Sequence, residues 1–482
     1  MGSNELHIFF LPFFSQGHLI PITDMAKLFA SKGAKATIII TSRSAPFVTK
    51  IIQNNTTQIN ILIIKFPCAE AGLPEGIDGP DKVSSPEMLE KFLKACAMLK
   101  PQVGHLLQQH RPNCLVADTF FPWATDVAAT NGIPTFIFHS TGFFSLCATL
   151  SLFLHAPQMK VSSDSELFTL PNLPYKIEFS RNKLAPHMLE EDVETEFSKL
   201  YKETRELELY KSNGVLVNSF YELEQAYADH YRKALRVKAW HIGPVSLHNK
   251  KVEEKAKRGM DPSVDAHQCL KWLNSKKPNS VLYVCFGSMA QFKDEQLLEL
   301  AKGLEASGKP FIWVLRKEKQ VLEVKEEWLP DGFEERIEGK GLIIRGWAPQ
   351  VVILEHEAIG GFVSHCGWNS ALEAVCAGVP MVTWPVEAEQ FFNEKLVTQI
   401  LGIGVGVGVK KWVGGLVRKE DIEKAANRIM EGEEAMEIRS RARKLGEMAR
   451  KAIEEGGSSY LDLDAFFEDL KQSRVISSDH SN

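Results

Sequence analysis

The run GGFVSHCGWNSALEAVCAGVPMVTWP, residues 360–385, decides the fold. GGFVSH opens it as a short β-rich segment, and MVTWP closes it as another. Between them, Trp368 to Ala377 carries apolar residues at helical spacing and stops at Gly378. Strand, glycine turn, helix and strand in that order make a parallel βαβ unit. Upstream, SVLYVCFGS (280–288) precedes a helical stretch, EQLLELAKGLEASG (295–308), and FIWVL (311–315) and GLIIRGW (341–347) follow as strands.

The first half repeats the alternation. HIFFLP (7–12) precedes the helical pattern IPITDMAKLFASKG (20–33), and ATIIIT (36–41) is the next strand. CLVAD (114–118), the helical WATDVAATNG (123–132) and PTFIFH (134–139) come later. A chain of 482 residues exceeds one ordinary core. The expected class is α/β, with two doubly wound parallel-sheet domains facing a cleft. The charged run HNKKVEEKAKRGMDP (248–262) marks the boundary. Residues 1–245 are expected to form the N-terminal domain, 246–263 an exposed linker and 264–455 the C-terminal domain. Residues 456–482 are expected to form a helix packing back on the N-terminal domain, with a fraying tail from Ser473.

A formal charge of −5, from 56 basic and 61 acidic residues, leaves no footprint for nucleic acid. Ile133 to Leu154 is apolar enough to suggest a membrane span. Pro134, His139, Thr141 and Gly142 break it, so a strand turning into a buried helix is expected. The 8 cysteines are scattered and lack CxxC spacing. They predict reduced thiols and a cytoplasmic location. The N-terminus has no basic segment of the kind that opens a signal peptide. A monomer is expected.

Ligands of open α/β sheets bind outside the carboxyl ends of the strands. His18, after the first strand, and Asp118, ending CLVAD, both stand at such ends. A neutral His18 can act as a general base, and a carboxylate can fix its tautomer. Each alone is equally a helix-capping residue. His365 and Gly367 fall at a strand-to-helix turn, where backbone N–H groups and the helix dipole suit a diphosphate. Asn369 and Ser370 follow in the first turn, and Glu373 lies one turn on, suited to ribose hydroxyls. Glu389 and Gln390, after the next strand, suit a hydroxyl-rich ligand.

Residues 347–390 resemble, without a gap, the signature box of plant secondary-product UDP-glycosyltransferases. QGHLIP, VADTFFPW, FHSTGFF and VCFGS also occur in that family's order. The resemblance implies the GT-B fold of two Rossmann-like domains, with UDP-sugar held mainly by the second. Carried over, Trp347 would stack on uracil, and Ala348 and Gln350 would address uracil and ribose. His365, Asn369, Ser370 and Ser288 would bind the diphosphate, and Glu373 the ribose. Glu389 and Gln390 would grip the sugar, with Trp368 and Thr141 nearby. Trp368 and Gln390 resemble the pattern of UDP-glucose users. His18 and Asp118 match the catalytic base and its supporting acid. UDP-sugar is a co-substrate, and no metal or other cofactor is expected. The alternatives are a UDP-galactose or UDP-glucuronate donor, or a nucleotide-sugar binding protein without catalysis. A dinucleotide oxidoreductase lacks its glycine fingerprint after the first strand.

The acceptor is expected to be a hydroxyl, or a carboxyl, of a small lipophilic plant metabolite such as a triterpenoid sapogenin or a flavonoid. Phe14, Ser15, Phe120, Phe121, Phe143, Phe144, Leu200 and Glu387 are the pocket candidates, with at least half of the phenylalanines expected to be ordinary core. Asp462-Leu463-Asp464 has the DxD form of metal-dependent glycosyltransferases, but its helical setting predicts a structural role.

Overall fold

Runs of β-branched and aromatic residues buried on both faces favour parallel strands covered by helices. In the computed structural model such runs make two parallel sheets. The structure describes residues 5–53, 59–189, 195–206, 211–261, 263, 266–315, 328–412 and 415–479. The strands are β1 His7–Leu11, β2 Lys35–Thr41, β3 Ile59–Ile64, β4 Cys114–Asp118 and β5 Thr135–His139. They continue with β6 Leu167–Thr169, β7 Glu178–Ser180, β8 Gly214–Val217, β9 Ala239–His241 and β10 Val281–Cys285. The remainder are β11 Phe311–Leu315, β12 Gly341–Arg345, β13 Ile359–Ser364, β14 Met381–Thr383 and β15 Gly404–Gly406. The first sheet has the order β3-β2-β1-β4-β5-β8-β9, and the second β12-β11-β10-β13-β14-β15. β6 and β7 pair antiparallel as a separate ribbon.

Each large sheet reverses its winding once. The reversal falls between β1 and β4 in the first sheet and between β10 and β13 in the second. Those two points are where ligands of doubly wound sheets bind. His18 follows β1, and Asp118 ends β4. Ser288 and His365 follow β10 and β13.

The chain divides into two compact units. The first comprises Met1–Leu150, Glu190–Asn249 and Ala452–Asn482, and the second Ser151–Leu189 and Lys250–Lys451. Two expectations therefore change. Ser151–Leu189 belongs with the second unit, although 1–245 read as one domain. The β6–β7 ribbon accounts for this, because Phe179 packs on Phe392 with centroids 5.0 Å apart. The charged stretch 246–263 is also not simply an exposed linker. Asn249 is buried and donates to Asp24 at 2.8 Å, Val252–Ala256 is a short helix, and Arg258 is buried.

The first helix starts at Gln16, earlier than its apolar spacing suggested, and so encloses Gly17 and His18. The Ser15 carbonyl accepts from the N–H groups of His18 and Leu19, closing that turn. The final helix, Ser458–Asp479, buries Leu463, Phe466, Phe467 and Leu470 in the first unit's core. Phe466 meets Phe136 at 4.8 Å and Trp240 at 5.4 Å. The helix continues through Asp479. Residues 480–482 of that tail lie outside the described residues. Ile133 to Leu154 resolves into β5 and the helix Phe143–His155. Among the described residues, no helix is long and apolar enough to cross a membrane.

Candidate active site

In the first unit, the strand ends of β1 and β4 bring His18 and Asp118 together. His18 Nδ1 lies 2.7 Å from Asp118 Oδ2, with the imidazole 14% exposed and the carboxylate fully buried. The other oxygen, Oδ1, accepts from the Phe120 backbone N–H at 3.0 Å. A carboxylate accepts only, so the proton on His18 belongs on Nδ1, which leaves Nε2 as an acceptor. Ser140 Oγ lies 3.3 Å from Nε2. Phe13 and Phe120 flank the ring at centroid distances of 5.4 and 5.3 Å.

The acceptor candidates separate by burial. Phe14 and Phe121 are buried against each other and against Phe66 and Trp123. Phe143 packs on Tyr231 and His241, and Phe144 on Tyr227. Both rings are fully buried and pack as core. Ser15, Phe120 and Leu200 remain partly exposed. Phe13 and Ser140 were missed, although both directly follow strand ends that the sequence marked. The Thr141 hydroxyl is buried without a hydrogen-bond partner among the described residues.

In the second unit, His365 is wedged between two glycines. A Cβ on Gly287 would stand 2.7 Å from its ring, and one on Gly367 2.5 Å from Nε2. Burial pushes its pKa down to about 4, so the ring is a neutral donor at physiological pH. Its Nδ1 is buried without a partner among the described residues. Ser288 follows Gly287 and is partly exposed. The helix Trp368–Ala377 starts at Gly367, placing Asn369 and Ser370 in its first turn. Gln350 Nε2 donates to Ser370 Oγ at 3.1 Å and to Glu373 Oε2 at 2.8 Å. Arg258 donates to Glu373 Oε1 at 2.6 Å. Trp347 is partly exposed, and Ala348 beside it is buried.

Glu389 Oε1 accepts from the Trp368 N–H and from Asn393 Nδ2, each at 3.3 Å. The Gln390 side-chain oxygen accepts from the N–H groups of Val386 and Glu387, at 2.8 and 2.9 Å. Glu387 is partly exposed, and burial raises its carboxyl pKa. Sequence reasoning missed Arg258, whose neighbours are charged and read as solvated.

A family model described as UDP-glucoronosyl and UDP-glucosyl transferase matches residues 81–441. The chain belongs to that family. Over 478 residues the transferase is 58% identical to the UDP-glucose flavonoid 3-O-glucosyltransferase 7 of Fragaria ananassa, covering 97% of this chain and 96% of that relative. A crystal structure of UGT73P12 from Glycyrrhiza uralensis, complexed with glycyrrhetinic acid 3-O-monoglucuronide, superposes with a TM-score of 0.90 at 39% identity, covering 99% of this chain and 98% of that one. The UGT71G1 structure from Medicago truncatula, complexed with UDP-glucose, gives 0.80 at 28% identity and covers 97% and 98%. The transferase thus has the GT-B fold and is a UDP-glycosyltransferase enzyme.

Proposed function

We propose that the transferase moves glucose from UDP-glucose to a hydroxyl of a flat lipophilic metabolite, inverting the anomeric centre. The observation that carries the base assignment is the His18–Asp118 pair, with Nε2 left to accept a proton. The first unit handles the acceptor. As the acceptor oxygen bonds to the anomeric carbon, its proton passes to His18 Nε2, and Asp118 stabilises the imidazolium that forms. The bond from the anomeric carbon to the UDP oxygen breaks, through an oxocarbenium-like transition state. General-base help of this kind is worth about 10²–10⁴ in rate.

The second unit handles the donor. Trp347 stacks on uracil, with Ala348 and Gln350 beside it, and Glu373 binds the ribose hydroxyls. Ser288, His365, Asn369, Ser370 and the helix start at Gly367 meet the charge on the departing UDP. This reading uses no metal. Glu389, Gln390 and Trp368 hold the sugar. The flavonoid glucosyltransferase from Fragaria and the UDP-glucose complex from Medicago support glucose as the sugar. The Glycyrrhiza complex supports a triterpenoid, including one already glycosylated, beside a flavonoid. Phe120 and Leu200 supply apolar surface for either, and Phe13 flanks His18. Eight free cysteines support a reducing compartment such as the cytoplasm.

The test is a donor-by-acceptor screen of purified protein. UDP-glucose, UDP-galactose and UDP-glucuronate are each paired with a flavonol, a sapogenin and a sapogenin monoglycoside. Product from UDP-glucose that disappears in His18→Ala is expected. Faster turnover with another donor would overturn the glucose assignment, and tight UDP binding without product from any pair would overturn the catalytic reading.

A further inference from the structure

Arg258 is a buried arginine in a highly charged run. Its side chain is 6% exposed, and one guanidinium N–H donates to Glu373 Oε1 at 2.6 Å. Arginine is almost never buried unless paired, and its planar fork fixes the direction of the group it meets. The second Glu373 oxygen accepts from Gln350 at 2.8 Å. The carboxylate is therefore gripped from two sides, and its remaining lone pairs are aimed by those two partners.

Gly259 does the corresponding thing to Trp347. It has φ +107°, and a Cβ built on it would fall 2.0 Å from Cζ2 of the indole and 2.6 Å from Nε1. Only a residue without a side chain lets the backbone lie this close to the ring. Two consecutive residues of the 246–263 stretch thus back two different residues of the box.

We propose that Arg258 and Gly259 form a positioning element of the donor site. Arg258 holds Glu373 in the orientation that receives the ribose hydroxyls, and Gly259 seats the indole of Trp347 for the uracil. The inference rests on Glu373 and Trp347 being the ribose and uracil residues. A purely structural ion pair, pinning this stretch to the second unit, would alter stability without altering how the site reads the ribose.

The test compares UDP with 2′-deoxy-UDP, by calorimetry on the full chain. The parent is expected to prefer UDP by on the order of tenfold, the cost of an unmet hydrogen bond to a charged group. Arg258→Gln is expected to reduce that preference to within about twofold. Arg258→Lys, which keeps the charge but loses the fork, is expected to retain part of it. Gly259→Ala is expected to weaken both ligands equally and leave the ratio intact. A folded Arg258→Gln with the parent's ratio overturns the proposal. If that variant does not fold, Arg258→Lys decides: a ratio reduced about threefold supports the proposal, and an unchanged ratio overturns it. A parent without any preference overturns the ribose reading of Glu373 itself, and the proposal with it.

Discussion

His18 and Asp118, 100 residues apart in the chain, meet at 2.7 Å because β1 and β4 are parallel neighbours in register. Leu11 pairs with Ala117, so the two strands end side by side. The loop after β1 then turns into the helix that carries His18, while Asp118 is the last residue of β4. Neither side chain needs a long excursion, and the pair is fixed by the sheet. Both oxygens of Asp118 are engaged: one takes the imidazole and the other a backbone N–H.

That double engagement makes Asp118→Asn informative. The Phe120 N–H needs an oxygen acceptor, so the amide oxygen is expected to keep that bond. The NH2 group then faces His18 Nδ1, which must become the acceptor. The imidazole proton moves to Nε2, and the ring cannot serve as a base. Turnover is expected to fall by about 10²–10⁴ with UDP affinity unchanged. Steady-state rates alongside UDP calorimetry check this, and a rate within threefold of the parent would refute it.

On the donor side, Gly287→Ala and Gly339→Ala form a matched pair. Both glycines have φ +73°. A Cβ at Gly287 lies 2.7 Å from the His365 ring, whereas one at Gly339 meets nothing within 4 Å. Each substitution is expected to cost about 1–2 kcal/mol of stability through the left-handed backbone. Only Gly287→Ala is expected to raise KM for UDP-glucose, by roughly tenfold or more, as His365 is pushed aside. Equal KM changes in the two variants would show that His365 placement does not matter to the donor.

The strand–turn–helix around His365 was legible in the sequence because its periodicity switches within a few residues. The same holds for β1 and β4, and reading ligands at strand ends then singled out His18 and Asp118. What stayed hidden depends on contacts remote in sequence. Arg258 sits among charged neighbours, and its burial comes from Glu373, 115 residues away. Phe143 and Phe144 have a composition that suits a pocket as well as a core. Their burial is decided by Tyr227, Tyr231 and His241. The Ser151–Leu189 stretch followed the first domain in sequence, and contacts remote in the chain, such as Phe179 on Phe392, assign it elsewhere.

Acid stability should reflect two neutral histidines. Burial lowers His365 from 6.5 to about 4, and His7 likewise, with Lys35 and His110 adding to the effect at His7. Between those values the unfolded chain binds protons that the folded chain does not. The stability they contribute is therefore complete above about pH 6.5 and is lost as pH falls toward 4. Below that, both states are protonated and these groups add no further change. Urea unfolding midpoints across this range are expected to decline less steeply in His365→Asn than in the parent. An unaltered slope would assign the acid sensitivity to other groups.

The Asp462-Leu463-Asp464 triplet gives the last test, of metal dependence. Asp462 Oδ2 accepts from the His241 N–H at 2.8 Å, from His241 Nδ1 at 2.9 Å and from Arg232 at 2.8 Å. Asp464 pairs with Lys32 at 2.7 Å. Both carboxylates thus fasten the final helix to the first unit, which is structural work. Asp462→Ala is expected to lose about 1–3 kcal/mol, since it strands the buried His241 and removes charged hydrogen bonds. Asp464→Ala, at a partly exposed ion pair, is expected to lose no more than about 1 kcal/mol. Assayed well below their melting temperatures, both variants should keep kcat/KM within about threefold of the parent, and a chelator should leave all three unaffected. Activity that disappears with chelator and returns with manganese, or a folded Asp462→Ala without turnover, would restore the triplet as a catalytic metal motif.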